Sequence, residues 1–131
     1  MAPEWRETSV FITGACGTVG RALVALLDRL GAGEIVGIDN NETELFFQRE
    51  AYGANGRVRL YVGDVRDRDT LAERMRGSQV MIHCAAYKHV ILSEEAPRNA
   101  VQTNILGTSN VIEAALGCGV ERVLFTSSDK A

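Results

Sequence analysis

The chain has 131 residues, with 14 Lys and Arg against 17 Asp and Glu, a net charge of −3. That length suits one domain, and 46% hydrophobic with 24% charged residues is the composition of a chain with a packed core, not of a disordered one. Mild acidity with scattered arginines excludes the clustered basic surface of non-specific nucleic-acid binding, and no apolar run approaches the ~18 residues of a membrane span.

Residues 1–8 are polar and mixed in charge, so no signal peptide is expected. Ser9 to Thr13 is a short apolar run that stops at Gly14. From Arg21 to Leu30, apolar residues at 22, 23, 25, 26, 27 and 30 predict a helix ended by Gly31 and Gly33. Glu34 to Ile38 is a second apolar run, ending at Asp39. Asn41 and Glu44 then form a candidate reciprocal cap for a helix running from Glu42 toward Tyr52. Val58 to Val62 predicts a third strand, and Asp67 can cap a helix reaching Arg76. Gln79 to Cys84 predicts a fourth strand. Pro97 suits the first position of a helix over 98–116, with Val101, Ile105, Val111, Ile112 and Ala115 on its apolar side. Val120 to Thr126 is the fifth strand.

Five strands alternate with four helices. Runs of Val and Ile without clean alternation predict strands buried on both faces, and helical crossovers between successive strands require a parallel sheet. The expected fold is α/β: a doubly wound, three-layer α/β/α domain with strand order 3-2-1-4-5. Its carboxyl-end loops should converge at one edge. Cys16, Cys84 and Cys118 are odd in number, widely spaced and accompanied by only two histidines. They offer neither a disulfide framework nor a zinc-site spacing, and no metal is expected. They read as reduced thiols of a cytoplasmic protein.

The chemistry concentrates after the strands. Gly14-Ala15-Cys16-Gly17-Thr18-Val19-Gly20 lies between a strand and a helix, the context of a dinucleotide-binding turn. There Gly14 permits the turn, Gly17 lets backbone approach a pyrophosphate, and Gly20 lets the helix pack closely, with free N–H groups at its start facing the anion. Asp39, nineteen residues after Gly20, is placed to accept from ribose hydroxyls, or else it caps the next helix. No Lys or Arg follows in Asn40-Asn41-Glu42, which favours NAD over NADP. Asp64 and Val65 can meet an adenine amino group and ring, or Asp64 can serve as a turn residue. The small residues Cys84, Ala85 and Ala86 let a flat cofactor pass, bringing Lys88 and His89 near its reacting end; His89 alone also reads as a surface residue. Ser128-Asp129-Lys130 joins a hydroxyl, an acid and a base, which suits elimination, or equally a solvated turn.

Taken together these segments resemble the extended short-chain dehydrogenase/reductase superfamily, whose cofactor domain is Rossmann-like. Within it they are similar to the nucleotide-sugar 4,6-dehydratase branch that acts on UDP-N-acetylglucosamine in polysaccharide biosynthesis. The matching motifs are the three glycines, Asp39-Asn40-Asn41-Glu42, Gly63-Asp64-Val65, residues 85–90 (AAYKHV), residues 103–108 (TNILGT) and residues 127–131 (SSDKA). The resemblance implies NAD on Gly14, Ala15, Gly17, Thr18, Val19, Gly20, Asp39, Asn40, Asn41, Asp64, Val65, Ala85, Ala86, Lys88 and Asn104. It implies a UDP-linked hexose near Lys88 and His89. It assigns Lys130 as the base at the sugar C5, Asp129 as the acid at the C6 hydroxyl, and Ser128 as the holder of the C4 oxygen. Family members continue well beyond the fifth strand. Residues 1–131 are therefore expected to be the NAD-binding part without its substrate domain, inactive alone, and held by a second copy or by the remainder of the protein. A nucleotide-sugar epimerase and a non-catalytic NAD-binding module are the competing readings.

Overall fold

The computed structural model describes residues 5–53, 56–84 and 97–126. In chain order the elements are β1 (Ser9–Thr13), α1 (Thr18–Arg29), β2 (Glu34–Asp39), α2 (Glu42–Tyr52), β3 (Val58–Val62), α3 (Arg68–Met75), β4 (Val80–His83), α4 (Pro97–Cys118) and β5 (Arg122–Phe125). The strands form one parallel sheet in the order β3-β2-β1-β4-β5, the expected doubly wound arrangement. Strand order reverses between β1 and β4, where Thr13 is paired in register with Ile38 on one side and His83 on the other.

The two faces of β1 explain why its sequence does not alternate. Val10 and Ile12 join a cluster with Val24 and Leu27 of α1 and Leu45 of α2, while Phe11 joins a second cluster with Leu71 and Met75 of α3 and Val111 and Ala115 of α4. Each side chain is fully or almost fully removed from water, so hydrophobic burial favours both orientations equally.

Some expectations are corrected. α1 begins at Thr18, three residues early, and its inner stripe is Gly20, Val24 and Leu27, with Leu26 and Leu30 exposed. The reciprocal cap at Asn41 is one-sided. Asn41 Oδ1 accepts from Glu44 N–H at 3.1 Å, but the Asn41 N–H donates to Asp39 and the Glu44 carboxylate instead pairs with Arg21 at 2.7 Å. On α4, Ile112 faces outward and Ala114 takes the inner position. β5 is exposed along its whole length, with Val123, Leu124 and Phe125 open to solvent, whereas the other edge strand, β3, buries Val58 and Leu60.

Candidate cofactor site at the carboxyl edge

β1 delivers the chain to Gly14, which turns with φ +69°, a left-handed conformation that favours glycine. The turn is then pinned to β2 through its backbone. Ala15 N–H donates to the Ile38 carbonyl at 3.1 Å, Cys16 N–H to Asp39 Oδ2 at 2.9 Å, and Gly17 N–H to the Gly14 carbonyl at 3.1 Å. From α2, buried Gln48 donates its Nε2–H to the Ala15 carbonyl at 3.2 Å, while its Oε1 has no partner among the described residues.

The three glycines do different work. A Cβ on Gly20 would lie 2.0 Å from the Gly14 oxygen and 2.8 Å from its carbonyl carbon, so the close seating of α1 on the turn requires glycine. A Cβ on Gly17 would meet nothing nearer than 3.5 Å, and its φ of −74° suits any residue. Neither backbone strain nor internal packing requires glycine there, although glycine suits the N-cap of α1 better than alanine does. α1 also starts without a side-chain cap, whereas Asn41 caps α2 and Asp67 caps α3. The first turn of a helix is the place where backbone N–H groups and the helix dipole receive an anion. Thr18 and Val19 are exposed there.

Asp39, half-buried at the end of β2, divides its carboxylate: Oδ2 accepts from Cys16 N–H and Oδ1 from Asn41 N–H, each at 2.9 Å. It therefore caps locally and faces the glycine turn at once. Asn40 and Asn41 are exposed beside it. Burial, reinforced by the Asp39 charge, pushes the Cys16 thiol up to about 11, which keeps it protonated.

Across β2, Asp64 follows β3 and accepts a two-pronged contact from Arg66, with Nη2 2.8 Å from Oδ2 and Nε 3.1 Å from Oδ1. That guanidinium holds the Asp64 carboxyl below the usual carboxylate range. Val65 is buried against α4. A Cβ on Gly107 would lie 2.6 Å from Val65 Cγ2, and buried Asn110 donates Nδ2–H to the Val65 carbonyl at 3.0 Å.

On the other side of the switch point, Thr13 Oγ1 lies 2.6 Å from His83 Nδ1 and accepts from Cys84 N–H at 3.0 Å. The His83 carbonyl accepts from both the N–H and the hydroxyl of Thr126, at 3.2 and 3.3 Å. Burial holds His83 below the ordinary histidine range.

The structure thus brings Gly14, Ala15, Gly17, Thr18, Val19, Gly20, Asp39, Asn40, Asn41, Asp64 and Val65 to the carboxyl edge of the sheet. Ala85, Ala86, Lys88, His89, Ser128, Asp129 and Lys130 lie outside the described residues, and Asn104 falls on the α4 backbone, outside the described side chains. Sequence reading missed Thr13, His83, Gln48, Arg66, Gly107 and Asn110 as parts of this edge. The available signal was polar or small residues inside otherwise apolar elements.

A family model described as polysaccharide biosynthesis protein matches residues 10–131. The chain belongs to that family. It is 37% identical over 127 residues to an uncharacterized membrane protein of Methanocaldococcus jannaschii. It is 34% identical over 128 residues to a UDP-N-acetylglucosamine 4,6-dehydratase (inverting) of Campylobacter jejuni, and 34% identical over 132 residues to a UDP-glucose 4-epimerase of Rickettsia akari. These matches take in 97%, 97% and 95% of this chain, but the chain spans only 38% of the length of each curated relative. Among solved structures it superposes on Pen from Bacillus thuringiensis with a TM-score of 0.89 at 32% identity, over 94% of this chain and 38% of that one. On a double mutant of the dTDP-glucose 4,6-dehydratase of Streptomyces venezuelae, solved with NAD and a second ligand bound, the TM-score is 0.76 at 30% identity, over 87% and 37%. The resemblance drawn from the motifs to the nucleotide-sugar branch of the short-chain dehydrogenases is borne out, and the family's relatives include both dehydratases and epimerases. Among the described residues no helix is long and apolar enough to cross a membrane.

Proposed function

We propose that residues 1–131 are the NAD-binding domain of a cytoplasmic nucleotide-sugar 4,6-dehydratase whose substrate is UDP-N-acetylglucosamine. The observation that carries the cofactor half is the glycine turn at the carboxyl end of β1, where Gly17, whose added Cβ would meet nothing nearer than the Gly14 oxygen at 3.5 Å, precedes a helix start with no side-chain cap. The similarity to a UDP-N-acetylglucosamine 4,6-dehydratase supports the substrate. In this reading Gly14, Ala15, Gly17, Thr18, Val19 and Gly20 receive the pyrophosphate. Asp39, with Asn40 and Asn41, receives the adenosine ribose, Asp64 and Val65 meet the adenine, and Ala85, Ala86, Lys88 and Asn104 line the rest of the cofactor's path.

NAD, when bound, supplies the hydride acceptor and donor that the chemistry needs. Lys130 removes the sugar C5 proton, Asp129 protonates the departing C6 hydroxyl so that water leaves, and Ser128 holds the C4 oxygen, with Lys88 and His89 on the substrate side. Thr126, two residues before Ser128, is tied to His83 beside Thr13, which supports placing this segment at the same edge as the glycine turn. The sugar nucleotide is held mainly by sequence outside these 131 residues, in keeping with the 38% share of the relatives that the chain spans. Exposed Val123, Leu124 and Phe125 support a covering partner, a second copy or more of the same polypeptide.

A UDP-glucose 4-epimerase is the second reading, favoured by the Rickettsia relative. Incubating a protein that joins this domain to its substrate-binding portion with UDP-N-acetylglucosamine in deuterated water separates the two. The dehydratase reading expects loss of water and deuterium at C5. A Lys130→Ala variant should slow that exchange by about 10²–10⁴-fold. Inversion at C4 without water loss would overturn the reading.

A further inference from the structure

Asp64 is not an open carboxylate. Oδ1 accepts from the Arg66 backbone N–H at 2.9 Å and from Arg66 Nε at 3.1 Å, while Oδ2 accepts from Nη2 at 2.8 Å and, more distantly, from Nε at 3.3 Å. A guanidinium edge seated on both oxygens fixes the plane of a carboxylate as well as pairing its charge.

The turn itself does not need this contact. Asp67 N–H donates to the Asp64 carbonyl at 2.9 Å, and the Arg66 N–H bond to Oδ1 completes the side-chain turn without any guanidinium. Packing does not need it either, because Val65 is gripped from α4 by Gly107 and Asn110. What the guanidinium adds is the direction in which Asp64 presents its remaining acceptor position. A carboxylate offers about four such positions. The backbone N–H and Nε take Oδ1, Nη2 takes one position on Oδ2, and the second position on Oδ2 is met only by the longer, shared Nε contact at 3.3 Å.

We propose that Arg66 is a positioning residue for purine recognition: it aims the remaining Oδ2 position of Asp64 at the 6-amino group of a bound adenine, so that this edge accepts a 6-amino purine and rejects a 6-oxo one. The inference rests on the reading of Asp64 as adenine-facing. An amino group donates to the carboxylate. A 6-oxo group sets oxygen against oxygen, acceptor against acceptor, and a carboxylate fixed in its plane cannot turn away to relieve it. With Arg66 removed, Asp64 can rotate and be bridged by water, and the distinction fades.

Nicotinamide hypoxanthine dinucleotide differs from NAD in carrying the 6-oxo group, so calorimetric titration of the 131-residue chain with both ligands isolates this contact. NAD should bind the wild type about tenfold more tightly, the lower end for a hydrogen bond to a charged group. Arg66→Ala and Arg66→Lys should each bring the two affinities within about threefold of each other, since lysine keeps the charge without the two-pronged geometry. Asp64→Ala should do the same, and adding Arg66→Ala to it should change the ratio no further. Each ratio is taken on one protein, so a general loss of affinity cancels. If both Arg66 variants keep the wild-type ratio while Asp64→Ala collapses it, or if lysine alone restores it, the role of Arg66 is overturned and Asp64 keeps its assignment. If Asp64→Ala keeps the ratio, or if the wild type binds both dinucleotides equally or neither, the adenine-facing reading falls and takes the inference with it.

Discussion

Gly17 and Gly20 stand three residues apart in one turn, and alanine at each should have opposite consequences. At Gly20 the added carbon would sit 2.0 Å from the Gly14 oxygen and 3.0 Å from the Ala15 Cα, all backbone, so α1 or the turn must move. Overpacking of this kind costs about 1–3 kcal/mol or more. At about 2.1 cal/mol/K of unfolding entropy per residue, a chain of this length loses about 4 °C of melting temperature per kcal/mol. Gly20→Ala should therefore melt about 4–11 °C lower, if it folds cooperatively. At Gly17 the nearest atom is 3.5 Å away and φ is −74°. There, the gain of about 0.4–1 kcal/mol from restricting the unfolded chain is offset by alanine's poorer fit at a helix N-cap, so stability should change by less than about 1 kcal/mol. Its methyl group, however, occupies the space proposed for the pyrophosphate, so NAD affinity should fall at least tenfold. Thermal melting without ligand, followed by calorimetric titration with NAD, reads both effects. A Gly17→Ala chain that binds NAD as the wild type does, or that loses stability as Gly20→Ala does, would refute the assignment of that space to a ligand.

Removing the Asp39 carboxylate by Asp39→Ala should weaken NAD about tenfold or more and reduce its preference over NADP, because charge-assisted bonds of this kind are worth ~1.5–3 kcal/mol; parallel titrations with both dinucleotides check this. Asn110→Ala leaves the buried Val65 carbonyl without its donor at a cost of about 1–3 kcal/mol, seen as a lower melting temperature than that of Ser109→Ala on the exposed side of α4. His83 is held below its ordinary value of 6.5 by burial, so the unfolded chain binds the proton more readily. Stability from this group is complete above pH 6.5 and is lost as pH falls through the folded value. Melting temperatures between pH 7.5 and pH 5 should fall more steeply for wild type than for His83→Gln, and equal slopes would exclude His83 as the source.

Much of the fold was legible because the physics behind it is local and repeated. Apolar runs of four to six residues ending at glycine or aspartate, separated by helical stripes, leave a parallel sheet as the consistent arrangement, whereas the order 3-2-1-4-5 rests on the dinucleotide-binding resemblance, since other doubly wound orders share the same alternation. Capping was legible where a side chain performs it, as at Asn41 and Asp67. The start of α1 was not, because Thr18 to Gly20 open the helix with no side-chain cap to mark it. Exposure of β5 was hidden by its composition: Arg122 to Phe125 reads like an interior strand, and no local pattern tells it from β3, the edge strand that buries Val58 and Leu60. In the site, the glycine turn and Asp39 could be read from spacing. The grip of Asn110 on Val65 spans 45 residues, and the pairing of Thr13 with His83 spans 70. No local pattern carries contacts at that separation. Arg66 was within reach, two residues from Asp64, but side-chain direction, not spacing, reveals its hold on both oxygens.

The uncapped opening of α1 has a kinetic consequence. Amides in a first helical turn that no side chain protects exchange their hydrogens with solvent on short timescales, while those of α2 and α3 begin behind Asn41 and Asp67. An anion seated on Thr18, Val19 and Gly20, as proposed above, would act as the missing cap. Isotope uptake at those three positions should therefore slow when the site fills, ahead of any change deeper in the sheet, so the helix start serves as a built-in clock for occupancy.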